Sequence, residues 1–274
     1  MKGVLVSGLH HWGFSVRAPK ASAGGSSYPY VPISTVLGAL SRGYCSSYAV
    51  KNGTSCTEEF INDYKPYIFW VAYGADEPRL LHYADILREQ RVSYRQDKYR
   101  KRTRKEKDKE IDNLIEWFGV SAFGKTYAED VRFSIAVLVK DKAEQVSEYA
   151  WQIVSLGNKE SIVTITDVKV VDAVDVGTEG VSTDFEVYTN FFVPKVCIQD
   201  VEGMEPYKLS VSNAYNLSKE PVGGIEDEFW IPSHGPLIGG YVKLKGKVSE
   251  ECTVFKLGDK YLITVKEGLG KWLK

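Results

Sequence analysis

Between residues 131 and 139, Val131, Phe133, Ile135, Val137 and Val139 take every second position, separated by Arg132, Ser134, Ala136 and Leu138. Successive side chains of a strand point to opposite faces, so a period of two fixes this stretch as extended. The next residues are equally directive. Ala143, Val146, Tyr149, Ala150, Ile153 and Val154 form a stripe at helical spacing, with Gly157 placed to end it at C′. Residues 161–171 (SIVTITDVKVV) are then a β-branched run, which suits a half-buried strand.

The same order occurs earlier. Residues 3–9 (GVLVSGL) read as a buried strand, and a loop rich in Gly, Ser and Pro (APKASAGGSSYPYVP, 18–32) comes next. Ser34 and Thr35 are good N-cap types, and Val36, Leu37, Leu40, Tyr44 and Tyr48 make one helical stripe. Residues 67–73 (YIFWVAY) read as an aromatic strand. Strand, helix, strand, insertion, strand, helix, strand is the β-α-β-β-α-β ferredoxin-like (RRM-like) plan, and the expected fold class is α+β. The plan occupies residues 1–177, with 75–128 inserted between its second and third strands. Past Gly177 helical spacing ceases. Phe185, Val187, Thr189, Phe191 and Val193 alternate, as do Val242 with Leu244 and Tyr261, Ile263 with Val265. Residues 178–274 are therefore a β-rich C-terminal region, either a domain of its own or added sheet; GPLIGG (235–240) reads as a turn.

Composition limits the function classes. Four cysteines stand without a C-x-x-C pair, so neither a disulfide framework nor a zinc site is expected, and the thiols read as buried or neutral. No apolar run approaches a membrane span and the N-terminus lacks a secretory pattern, so a cytoplasmic protein with no membrane partner is expected. The net charge of −1 is unevenly spread: residues 95–109 carry nine Lys/Arg against three acids. A local basic segment on a mildly acidic body suits a polyanion contact confined to one place.

Three stretches have the chemistry of an RNA contact. The first is His10–Arg17 (HHWGFSVR), where His11, Trp12, Phe14 and Arg17, with Lys20 beyond, join rings and cations to a flexible loop. Single-stranded RNA is gripped by stacking on unstacked bases together with cationic or amide contacts to phosphate. Against this, Trp12 and Phe14 are equally suited to a core. The second is Gly157, Asn158 and Lys159, followed by Glu160 and Ser161, where glycine permits close backbone approach and the others offer donors. Glycine is also what any helix C-cap favours. The third is the basic insertion, with Arg95, Arg100, Lys101, Arg102 and Arg104 interleaved with Tyr99. Charge runs are more often solvated faces.

No H-E-x-x-H, G-x-S-x-G, P-loop or G-x-G-x-x-G motif is present in the sequence. One catalytic reading remains open: metal-independent cleavage of repeat RNA by 2′-OH attack, with His11 as general acid or base.

HWGFSVR, a variable loop and then PISTVLGAL (Pro32–Leu40) resemble the N-terminus of the Cas-five group of CRISPR-associated proteins. That group belongs to the RAMP superfamily, and the likeness is greatest to archaeal type I-A members. LGNKESIV (Leu156–Val163) is similar to the superfamily's glycine-bearing loop before the fourth strand. The resemblance implies a non-catalytic subunit of the Cascade interference complex, without cofactor or metal. Such a subunit binds the 5′ handle of the guide RNA (crRNA) and contacts the backbone subunit and the large subunit. It also implies that the insertion is a β-hairpin thumb lying against RNA. One branch of the group cleaves RNA with a Tyr and a Lys-His arrangement; this sequence has no Lys-His dipeptide.

Overall fold

A computed structural model describes residues 1–16, 18, 27–46, 55–87, 121–158, 160–176, 185–199, 201–212 and 225–273. Its centre is a six-stranded antiparallel sheet. β1 (Lys2–His10) lies between β6 (Val131–Val139) and β7 (Val163–Asp175), and β3 (Ile68–Ala75) flanks β6. Past β7 the sheet continues into β14 (Cys252–Leu257) and β15 (Lys260–Val265), so the last strands of the chain extend the sheet that the first strand began. β6 occupies the residues its alternation predicts. Yet every residue of it except Arg132 is buried, because the sheet is covered on both sides.

Among the described residues two helices pack over the sheet and a third packs on the first of them. α1 (Ile33–Ser46) buries Val36, Leu37 and Leu40 as the stripe requires, and it lies against β3; Tyr48 falls outside the described residues. α2 (Cys56–Tyr64) was not expected. Its signal is the capping pair Ser55 and Glu58, three residues apart, and the Glu58 amide donates to Ser55 Oγ at 3.3 Å. α3 (Ala143–Trp151) packs on β1, β7 and α1. It ends at Gln152, not at Gly157, because the chain turns there into a short bridge between Ser155 and Ile162.

The inserted segment starts and ends as a hairpin. β4 (Leu81–Leu87) pairs with β5 (Ser121–Tyr127) from Leu81↔Tyr127 to Leu87↔Ser121, and β5 also pairs with β2 (Gly13–Phe14). The C-terminal region supplies β8 (Phe185–Thr189) paired with β13 (Val242–Gly246). It also supplies β9 (Val193–Pro194), β10 (Met204–Ser212), β11 (Ile225–His234) and β12 (Leu237–Ile238), joined through β11. The GPLIGG turn is where expected, closing β11 on β12.

Two expectations change. The stretch 28–32, read as loop, is core: Tyr28, Tyr30 and Val31 are buried. Tyr30 OH donates to the Asn190 carbonyl and accepts from the Ala75 amide, both at 2.7 Å, which ties β3 to the C-terminal region. The cysteines are disulfides, not free thiols. Cys45–Cys56 clips the end of α1 to the start of α2, and Cys197–Cys252 fastens a single 3₁₀ turn (Lys195–Cys197) to β14. Spacing along the chain could not show this, since the partners meet only once the elements pack.

Candidate nucleic-acid interface

At one end of the sheet β1 ends at His10, opposite Val131 on β6 and Val163 on β7. The chain leaving β1 therefore meets the loop entering β7. The contact is built from short-range bonds: the Asn158 amide donates to Ser15 O (3.0 Å), the Ser15 amide to Ser161 Oγ (3.1 Å), and Ser161 Oγ to Asn158 Oδ1 (2.6 Å). The His11 amide points at Ile162 O, and His11 Nε2 meets Thr164 Oγ1 at 2.8 Å.

Gly157 makes this approach possible. Its φ is +134°, and a Cβ there would sit 2.8 Å from both Ser15 O and Ser161 Oγ. Only glycine adopts that backbone and leaves room for the neighbouring strand exit. Gly13 has a similar role on the other side. Its φ is +122°, its missing Cβ faces the Thr126 carbonyl, and the Trp12 carbonyl accepts from the Ala128 amide at 3.1 Å. Ser15 Oγ donates to Gly124 O (2.8 Å), which secures β5 to the same spot.

These three segments enclose a cleft of about 280 Å³ lined by Trp12, Phe14, Lys125, Tyr127, Asn158 and Glu160, among others. Trp12 is 70% exposed and Tyr127 40%, so two rings stand in solvent at the rim. On the hairpin, Leu81↔Tyr127 and Tyr83↔Lys125 are cross-strand pairs two residues apart and share a face, and Leu81 and Tyr83 are exposed as well. The opposite face is tied inward: His82 Nε2 meets Ser27 O, and Thr126 Oγ1 donates to Tyr28 O (2.9 Å). An apolar-aromatic strip with one lysine thus runs from Trp12 up the hairpin.

Phe14 has to be corrected as a direct contact. It is buried, its ring 5.5 Å from that of His10 and 6.4 Å from that of Tyr73, so it forms the floor and positions the residues around it. Beneath it His10 is wholly enclosed, with Nε2 2.9 Å from Tyr73 OH. Burial, then the neighbouring His11, holds His10 down to about 3, so it is neutral in ordinary buffers. The same burial pushes the Tyr73 hydroxyl well above its usual value.

Of the expected site residues, the structure brings together His11, Trp12, Gly157 and Asn158. Arg17, Lys20, Arg95, Arg100, Lys101, Arg102, Arg104 and Lys159 lie outside the described residues. Sequence reading missed Lys125 and Tyr127. Their only signal was the alternation of β5, interrupted by Gly124.

Sheet, glycine loop and ring-rimmed cleft define a sheet-rich α/β protein with two exposed rings beside one cleft. Comparison with known proteins gives the family. Residues 6–215 match the family model described as CRISPR-associated protein (Cas_Cas5). The chain is 51% identical over 275 residues to CRISPR-associated protein Cas5 2 of Saccharolobus solfataricus, covering 99% of each. It is 28% identical over 165 residues to that organism's Cas5 3, covering 60% of this chain and 62% of the other. The crystal structure of a CRISPR protein from Archaeoglobus fulgidus superposes with a TM-score of 0.57 at 16% identity, covering 97% of this chain and 100% of that one, a likeness of fold. The chain belongs to the Cas5 family of CRISPR-associated proteins.

Proposed function

We propose that the chain is a non-catalytic RNA-binding subunit of a type I CRISPR interference (Cascade) complex, holding the 5′ handle of crRNA at the Trp12 cleft. The scaffold we read for it is the ferredoxin-like plan. In support, β1-α1-β3 and β6-α3-β7 follow one another along the chain and their strands lie in the order β7-β1-β6-β3. Bases of the handle stack on Trp12 and Tyr127, while Lys125 and the Asn158 side-chain amide meet phosphate or base edges. The Asn158 backbone amide is spent on Ser15, so the glycine loop contributes side chains and shape. The hairpin β4–β5 is the base of the thumb, and its exposed strip lies beside the RNA; the basic residues 95–109, which fall between its arms in the sequence, add phosphate contacts. The backbone and large subunits are the protein partners.

The observation that carries this reading is the direct bonding of Ser15 to Asn158 and Ser161 around one cleft with an exposed tryptophan at its rim. His11 is engaged with Thr164, and His10 is enclosed and neutral, which argues for shape recognition over proton transfer. The test is binding of guide RNA with and without its 5′ handle, in EDTA, with the RNA examined for cleavage. Handle-dependent binding of intact RNA is expected. Cleavage lost in His11→Ala would replace this reading with the nuclease one.

A further inference from the structure

At the far end of the sheet lies a second cleft. β14 runs antiparallel to β7 with Phe255 opposite Asp175, so Cys252 lies beyond the end of β7, away from the end that meets His10. Here a cleft of about 470 Å³ is lined by Val196, Cys197, Gln199, Lys245, Lys247 and Ser249, among others. Its floor is fixed twice, by the Cys197–Cys252 disulfide and by the Ser249 amide donating to Cys197 O at 2.9 Å.

The chemistry comes from β13. Val242 and Leu244 are buried, so strand alternation turns Lys243 and Lys245 outward, and Lys247 follows at the same spacing. Lys243 pairs with Glu186 and stands 5.8 Å from the ring centroid of Tyr188, which is exposed. Neither Lys245 nor Lys247 makes an ion pair among the described residues. Lys243 and Lys245 stand about 6.7 Å apart on one face of the strand; Glu186, opposite Lys245, pairs with Lys243, and Lys247 follows just past the strand's end, where it and Lys245 line the cleft.

We propose that these lysines and the cleft form a second nucleic-acid contact that takes the sugar–phosphate backbone of an extended single strand. A polyanion with a charge on every unit can meet Lys245 and Lys247 at the cleft in succession, and Tyr188 offers a face on which a base of any sequence can stack. The contact is sequence-independent and sensitive to salt. It goes beyond handle binding and does not depend on it, because the two clefts lie at opposite ends of the sheet.

The test is Lys245→Gln with Lys247→Gln in the full chain, both positions being exposed. Binding of oligouridylate and of oligodeoxythymidylate of equal length is followed across a salt series. Losing two phosphate contacts should lower the salt slope by about 1.4 and weaken binding on the order of tenfold, given about 0.7 per phosphate for single strands. The loss should persist in a Trp12→Ala background and leave the preference for handle-bearing over handle-less guide RNA unchanged. Equal losses on both oligomers assign the backbone in general, and a larger loss on one assigns that strand type. An unchanged slope with wild-type melting overturns the proposal. So does stronger competition by polyglutamate than by either oligonucleotide, which would make this a docking site for an acidic protein.

Discussion

Replacing Gly157 by alanine tests whether the glycine loop is what holds the Trp12 segment in place. The new Cβ would stand 2.8 Å from Ser15 O and Ser161 Oγ and 3.1 Å from Val16 Cγ2, where ordinary contact begins at 3.4 Å. Residues 15–16 must therefore retreat by roughly half an ångström or more. A side chain held at φ +134° costs about 1–3 kcal/mol. Displacing Ser15 weakens the Asn158 N–Ser15 O and Ser15 N–Ser161 Oγ bonds, each worth about 0.5–1.5 kcal/mol. The total is about 2–6 kcal/mol, a fall in Tm of roughly 4–10 °C for a chain of this size. Gly235→Ala is the control, because φ there is +68° with nothing within 4 Å of the added carbon. It should cost only about 1–2 kcal/mol. Urea unfolding of both variants gives the difference, and handle-RNA binding by folded Gly157→Ala should fall by about tenfold, roughly the 1–3 kcal/mol of a lost base stack. If Gly157→Ala is no more destabilising than Gly235→Ala and binds RNA normally, the close approach has no role.

Trp12→Ala removes an exposed ring, so stability should change by less than about 0.5 kcal/mol. Handle-RNA binding, measured by fluorescence anisotropy, should weaken by about 1–3 kcal/mol, the worth of one stacked base. Cys197–Cys252 closes 55 residues and Cys45–Cys56 closes 11. Their removal should cost about 4 and about 3 kcal/mol respectively, read from melts of paired Cys→Ala variants. His10 is held below its unfolded value, so the unfolded chain binds the extra proton between about pH 3 and 6.5. The stability this neutral ring confers is complete above pH 6.5 and is lost as pH falls toward 3. His10→Phe should therefore show a shallower acid loss than the wild type in pH-dependent urea melts.

Elements with one clear pattern were legible in the sequence: β6 occupies the residues of its alternation, and α3 forms where its stripe begins, although it ends before Ile153 and Val154. The hairpin arms β4 and β5 were not. Leu81, Tyr83 and Tyr127 face solvent while His82 and Thr126 are tied inward, so polarity does not mark the buried face. Tyr28 and Tyr30 sit in a Pro-containing stretch that reads as a turn, yet tertiary packing buries them under the C-terminal region. At the candidate site, HHWGF and GNKES, singled out far apart in the chain, belong to segments that the fold brings into contact. What sequence could not give was which ring faces outward: Trp12 and Phe14 are two residues apart and would share a face of a regular strand, but Gly13 between them takes φ +122°, and Trp12 is exposed while Phe14 is buried.

Photocrosslinking tests the central claim most directly. Guide RNA bearing thiouridine within its 5′ handle is bound to the protein, irradiated, digested and mapped by mass spectrometry. Adducts should fall on peptides containing Trp12, Tyr127 or Asn158, and a label moved to the 3′ end should leave those peptides unmodified. Handle adducts found only elsewhere on the chain, or 3′-end adducts at Trp12, would contradict a cleft that holds the 5′ terminus.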